Sequence, residues 1–253
     1  MANAQASELK GQTALVTGAT GGIGRAICHS LASLGCNIII HYLSSTAEAE
    51  QLQADLRNQY GVDAYTLQAD LGDYDDVRHL HSYCAASHQP TILINNAGAN
   101  GGHSGTTSIS EVPIEDFEKT WRINCGSAYL LTQLCMPFME EQGFGRVIFI
   151  SSVAGFTGGV VGPHYASSKS ALHGLIHWLA GAYAKKGITV NGVAPALIEQ
   201  TKMLPGSNEE LAKKIPLGRL GMPEEVANTV KWMVTTPYVT NKVVGVDGGM
   251  FPQ

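Results

Sequence analysis

With 253 residues, 44% of them hydrophobic and 15% charged, the chain can bury a full core and has a length that α/β folds fill as one domain. A formal net charge of −5 without any basic run argues against sequence-independent binding to nucleic acid. Five cysteines, an odd number with no C-x-x-C pair, argue against a disulfide framework and for a reducing compartment.

The chain starts MANAQASELKGQ, which is polar and lacks the apolar centre of a signal peptide; residues 1–11 read as a flexible extension. From there β-branched runs alternate with amphipathic stretches. Strands are predicted at Thr13–Thr17, Asn37–Tyr42, Ala64–Gln68, Thr91–Asn95, Arg146–Ser151, Thr189–Val193 and Lys242–Val246. Helices are predicted at Ile23–Leu34, Thr46–Gln59, Tyr74–Ala86, Pro113–Glu141, Tyr165–Lys186, Asn208–Ile215 and Pro223–Thr235. Runs such as NIII and VIFI are apolar on both faces, as strands of a sheet covered on both sides must be. The rhythm predicts a single-domain, Rossmann-type, doubly wound parallel sheet of about seven strands with helices on both faces. No linker or repeat divides residues 1–253, and no apolar run approaches the ~18 residues of a membrane helix. The expectation is a cytoplasmic protein with no membrane partner.

Between the first strand and the first helix lies Thr17-Gly18-Ala19-Thr20-Gly21-Gly22-Ile23-Gly24. Glycines there let the chain turn tightly and bring backbone N–H groups close to a pyrophosphate, and the helix N-terminus adds partial positive charge. Four glycines can also make a plain loop; the strand–turn–helix setting is what points to a nucleotide.

The second strand ends in IIIHYLSST, Ile38 to Thr46. A dinucleotide-binding fold places an acidic residue near this point, to hold the adenosine ribose. Here Ser44, Ser45 and Thr46 stand instead. Either they meet the 2′-phosphate of NADPH, or they cap the helix that follows. Hydrogen bonds to a charged partner are worth roughly 1.5–3 kcal/mol each, so two of them favour the phosphate by tens- to thousands-fold. On the first reading, an aspartate at position 41 or 42 should turn the preference toward NADH.

The segment HYASSK puts Tyr165 and Lys169 on one face at the start of a long helix. A phenol titrates near ~10 and a lysine near ~10.4. An ammonium beside a phenol in a partly desolvated cleft should draw the tyrosine toward neutrality and ready it for proton transfer at a carbonyl or alcohol oxygen. The same pair also occurs on ordinary helix surfaces. Ser152 follows the strand RVIFIS, so its hydroxyl sits at the carboxyl edge of the sheet, where open α/β folds bind ligands.

Taken together, these motifs identify a resemblance to the short-chain dehydrogenase/reductase family, within it the 3-oxoacyl-(acyl carrier protein) reductase-like branch. The matching positions run from the turn at Thr17–Gly24 through Asp70, NNAG at Asn95–Gly98, Asn124, Ser152, Tyr165 and Lys169. They end with PLGRLGMPEEVA at Pro216–Ala227 and VDGGM at Val246–Met250. The resemblance implies an NADPH-dependent ketoreductase acting on a 3-oxoacyl thioester or ester, or on a small ketone or diketone, and needing no metal. Tyr165 would be the acid, Ser152 the hydrogen-bond donor to the carbonyl, and Lys169 the partner of the tyrosine and of the nicotinamide ribose. Asn124 would hold a water leading from Lys169 to solvent.

The same resemblance puts Gly18, Thr20, Gly22, Ile23 and Gly24 around the pyrophosphate side and Asp70 and Leu71 at adenine. Asn96, Ala97 and Gly98 would line the adenosine ribose and the middle of the cofactor, and Ile198 and Thr201 the carboxamide. Gly21 stands where many NADPH-dependent relatives carry a basic residue. The usual Pro-Gly is Pro195-Ala196 here, and the long loop Asn100–Val112 suggests a distinctive pocket wall, with His103 a candidate for touching substrate. A homotetramer or dimer is implied, formed through helices Pro113–Glu141 and Tyr165–Lys186, with Ala171, Leu172, Leu175 and Ala182 suited to close contact. Two alternatives remain: an NAD-dependent alcohol, polyol or steroid dehydrogenase, and a non-catalytic NADP(H)-binding regulator. Such regulators typically lack the tyrosine or lysine, which this chain keeps.

Overall fold

A computed structural model describes residues 8–201, 203–204 and 209–252. Its strands and helices alternate: β1 (Thr13–Val16), α1 (Gly22–Ala32), β2 (Asn37–Tyr42), α2 (Thr46–Tyr60), β3 (Ala64–Gln68), α3 (Tyr74–Ser87) and β4 (Ile92–Asn95). The second half holds α4 (Ile114–Trp121), α5 (Ser127–Gln142), β5 (Gly145–Ile150), α6 (Ala154–Thr157), α7 (Pro163–Tyr183), β6 (Ile188–Pro195), α8 (Glu209–Ala212), α9 (Pro223–Thr235) and β7 (Val243–Val246). All strand pairs are parallel, in the order β3-β2-β1-β4-β5-β6-β7. This is a Rossmann-type doubly wound sheet. The order reverses between β1 and β4, and the carboxyl ends of those two strands open the crevice where such sheets take ligands.

Strand periodicity explains why both faces need helices. In β4, Ile92 and Ile94 join a core with α1, α2 and α9, while Leu93 joins a second core with α3, α5 and α7. In β5, Ile148 and Ile150 face the first core, Val147 and Phe149 the second. Alternating side chains that are all apolar leave no face for water. Of the N-terminal stretch 1–11, Leu9 is buried in the first core and its backbone N–H donates to Leu34; residues 1–7 lie outside the described residues. Among the described residues, no helix is long and apolar enough to cross a membrane. All five cysteines are free thiols.

The long helix expected over Pro113–Glu141 is interrupted. Between α4 and α5, residues Arg122–Gly126 make a π-helical turn, closed by the Ser127 N–H donating to the Arg122 carbonyl. Such a bulge adds one residue to a helical turn and re-aims the side chains on it. At Gly126 the Tyr74 hydroxyl packs against the helix backbone, so a side chain there would have to displace that ring. The next long helix starts two residues earlier than expected, with Pro163 in its first turn, and tightens into a 3₁₀ turn at Ala184–Lys186. Leu172, expected at a subunit contact, is instead buried in the second core of its own chain. The helix expected over Asn208–Ile215 is the short α8, and Asn208 lies outside the described residues.

Candidate active site

Three segments bring the four predicted polar residues to the carboxyl edge of β4 and β5. Ser152 follows β5 and its Oγ accepts the Ala154 N–H at 3.1 Å. Tyr165 and Lys169 lie one turn apart in the first half of α7, both buried. Ser152 lies near enough to the Tyr165 hydroxyl to act on its pKa. Lys169 Nζ donates to the Ile150 carbonyl at 2.8 Å and lies 5.7 Å from the centre of the Tyr165 ring. Asn124, on the π turn, is buried and clamps Ala99 both ways: its Oδ1 accepts the Ala99 N–H at 2.7 Å and its Nδ2 donates to the Ala99 carbonyl at 2.9 Å. The bulge is what aims Asn124 at that loop.

The electrostatics correct one expectation. Burial raises the Tyr165 pKa above its ordinary value, and Ser152 only partly opposes this. Lys169 does not draw the phenol toward neutrality in the free protein. It is itself pushed down to about 8 by burial, and its ammonium is engaged with a strand carbonyl. Two residues behind the pair escaped sequence reasoning. Ser151 Oγ donates to the Lys169 carbonyl at 3.2 Å and is 2.8 Å from His173 Nε2. His173 falls four residues after Lys169, and that spacing was the available signal.

The glycine-rich turn fits a dinucleotide. Gly18 adopts φ +61°, a left-handed conformation that favours glycine. Side chains at Gly22 and Gly24 would run into the Gln200 and Gly18 carbonyls. Gly21 is the N-cap of α1 and no side chain caps it, so the first turn of that helix is left to a ligand's oxygens. Gly24 is enclosed within the turn, where the chain packs too closely for a side chain. Thr20, Gly22 and Ile23 remain partly exposed beside the crevice.

Thr17, not singled out from the sequence, ties the two strand ends together. Its Oγ1 donates to the Ile94 carbonyl and accepts the N–H groups of Asn96 and Ala97 at 2.9 and 3.0 Å. Asn96 spends its amide on the Thr17 and Gly18 carbonyls, so its side chain braces the turn. Gly98 is exposed next to Lys169, whose Nζ would lie 3.2 Å from a side chain there.

Burial sorts the other predicted contacts. The side chains of Leu71 and Ile198 pack at the edges of the two cores, each 5% exposed, much as Tyr165 and Lys169 are buried beside the crevice. Asp70 is exposed, its Oδ1 accepting the Gly72 N–H at 2.8 Å. Thr201 closes its own loop, with Oγ1 donating to the Ile198 carbonyl and accepting the Leu204 N–H, both at 3.1 Å. Ser44 and Thr46 are exposed past the end of β2, and Ser45 is the N-cap of α2 without a capping side-chain bond. Arg25, unremarked in the sequence, extends from α1 to within 3.4 Å of the Glu48 carbonyl in the first turn of α2. His41 is enclosed, 2% exposed, and its ring accepts the Gly18 N–H, a contact of the ring that an aspartate at position 41 would remove; an aspartate at position 42, itself 8% exposed, leaves that bond in place.

The loop after Asn100 is anchored rather than loose. His164 Nε2 donates to the Asn100 carbonyl at 2.7 Å, and the N–H groups of Gly105 and Thr106 donate to Val160 and Val161. His103, expected as a substrate contact, is engaged with Asp116 at 2.8 Å.

A family model described as short chain dehydrogenase matches residues 12–212. The chain is 37% identical over 251 residues to the 3-oxoacyl-[acyl-carrier-protein] reductase FabG of Aquifex aeolicus, covering 96% of this chain and 99% of that one. The chain belongs to the short-chain dehydrogenase family. It is also 32% identical to an L-rhamnose 1-dehydrogenase (NADP(+)) of Thermoplasma acidophilum, over 96% of this chain and 97% of the other. Among solved structures, a blue fluorescent protein from a metagenomic library, in complex with NADPH, superposes with a TM-score of 0.88 at 33% identity, covering 97% and 100% of the two chains. As a member of this family the chain is an oxidoreductase of CH–OH and C=O groups.

Proposed function

We propose that this short-chain dehydrogenase family member is an NADPH-dependent ketoreductase with Tyr165 as its general acid. One observation carries the reading: a buried phenol, beside Ser152 and one turn from Lys169, at a crevice whose glycine turn fits a dinucleotide. A tyrosine held protonated by burial is in the form a general acid needs to reduce a carbonyl. Tyr165 would give its proton to the carbonyl oxygen while Ser152 donates a hydrogen bond to the same oxygen. Lys169 and Asn124 would serve the ribose and the return of a proton from solvent. When bound, the reduced nicotinamide supplies the hydride.

Preference for NADPH is supported by the absence of a carboxylate on β2 and by the hydroxyls of Ser44, Ser45 and Thr46. Arg25 would supply the positive charge that Gly21 does not. NADP-linked and NADPH-bound relatives point the same way. The similarity to L-rhamnose 1-dehydrogenase favours a second reading, oxidation of a sugar or polyol. A screen of β-keto esters, diketones and sugars, each with both cofactors, separates the two. Carrier-bound 3-oxoacyl thioesters belong in the first group. Free thiols suit a reducing cytoplasm.

Two expected results arise here. Burial lowers the Lys169 pKa to about 8, so its charge is present below that pH and lost as the pH rises through it. The pH profile of kcat/KM for reduction should therefore fall on an alkaline limb near pH 8; a flat profile to pH 10 would contradict the role of Lys169. The second concerns assembly. The outer face of α7 carries Ser170, Gly174, Trp178 and Gly181, and nothing in the chain lies within 4 Å of a side chain built at either glycine. Small residues flanking an exposed tryptophan suit close approach of a second α7 in a homodimer or homotetramer. Replacing Gly174 and Gly181 with Glu should yield monomers in sedimentation, and an unchanged oligomer would rule this face out.

A further inference from the structure

His41 lies in β2, is 2% exposed, and joins three segments around the adenosine half of the crevice. The Gly18 backbone N–H donates to His41 Nδ1 at 3.0 Å. His41 Nε2 lies 3.1 Å from the Ala69 carbonyl at the end of β3, and the His41 carbonyl accepts the Ala19 N–H at 2.9 Å. A nitrogen that accepts from a backbone N–H carries no proton, so the ring proton is on Nε2 and is donated to Ala69. Only the neutral Nε2–H tautomer satisfies both bonds.

We propose that His41 is a positioning residue for the cofactor: its ring fixes the peptide of Gly18, and through it the turn that receives the pyrophosphate. The inference rests on the reading of that turn as the dinucleotide site. An aliphatic side chain here would leave the half-buried Gly18 N–H without its His41 acceptor, and a left-handed glycine is the point of the turn freest to rotate. The ring also spans the crevice floor from the glycine turn to Ala69, next to Asp70, which sets the spacing between the phosphate and adenine ends. Burial keeps the ring uncharged, pushing its pKa down to about 4 against the weaker pulls of the Ala69 carbonyl and of Asp70.

Three variants separate positioning from simple packing. His41→Asn keeps an acceptor where Nδ1 stands and loses the bond to Ala69. His41→Gln keeps a donor near Nε2 and loses the acceptor for Gly18. His41→Leu loses both. With each variant shown folded by thermal melting, fluorescence titration should give His41→Asn an NADPH Kd within about threefold of wild type. His41→Gln and His41→Leu should weaken NADPH and NADH alike by roughly tenfold, the loss expected when a buried donor is orphaned. At saturating NADPH, kcat should stay near wild type in all three. Should the Leu variant fail to fold, the Asn–Gln difference carries the same test. ¹⁵N spectra of the wild-type protein should show His41 with its proton on Nε2. Equal Kd for the Asn and Gln variants, or a proton on Nδ1, would overturn the role of His41. Wild-type protein that binds neither cofactor would overturn the dinucleotide reading and this role with it.

Discussion

Replacing Tyr165 with Phe should lower kcat for carbonyl reduction by at least 10²–10⁴-fold, the range typical of lost acid catalysis. NADPH affinity should change little, because the ring stays and only the hydroxyl is removed. Stability should change modestly: the ring stays buried, and the neighbouring Ser152 still accepts the Ala154 N–H. This separation is diagnostic. A loss of kcat without a loss of NADPH binding belongs to a proton donor, whereas parallel losses belong to a packing residue. A Phe variant with near-native kcat would refute the assignment, and stopped-flow reduction at saturating NADPH is the measurement that decides it.

Replacing Ser44 and Ser45 with Ala should weaken NADPH by roughly 1.5–3 kcal/mol for each charge-assisted bond lost, and leave NADH nearly unchanged. The reason is that NADH has no 2′-phosphate for these hydroxyls to meet. Replacing Tyr42 with Asp should go further, adding repulsion against the phosphate and an acceptor for the ribose hydroxyl. Replacing Arg25 with Gln should likewise cost NADPH more than NADH. The competing account, in which these serines only cap α2, predicts a lower melting temperature and equal loss for both cofactors. Kd values for both cofactors with each variant separate the two.

The sheet was legible because its strands alternate between two apolar cores, and runs such as NIII admit no other setting. The glycine turn was legible because strand, turn and helix follow one another in the sequence. What escaped depends on contacts between distant segments. The stretch from Pro113 to Glu141 carries an unbroken helical pattern, and nothing local announces a π turn that turns Asn124 toward Ala99. Leu71 and Ile198 sit at motif positions that the family resemblance assigned to the cofactor, and only the closed fold shows that both side chains also join the cores. The Tyr165–Lys169 spacing was visible, but burial of both groups decides their pKa values, and burial is not local. His41 reads in the sequence as a polar residue near a strand end; its two ring bonds exist only once β1 and β3 close on either side of β2.

The central claim is that this chain reduces a carbonyl with NADPH by way of Tyr165. Its most direct test is the loss of NADPH absorbance with a panel of β-keto esters, diketones and 3-oxoacyl thioesters, run beside the same panel with NADH. The account predicts turnover of at least one carbonyl, with kcat/KM for NADPH exceeding that for NADH by tens-fold or more. Tight NADPH binding without turnover of any carbonyl would contradict it, and would mark the chain as a nucleotide-binding regulator built on a dehydrogenase fold.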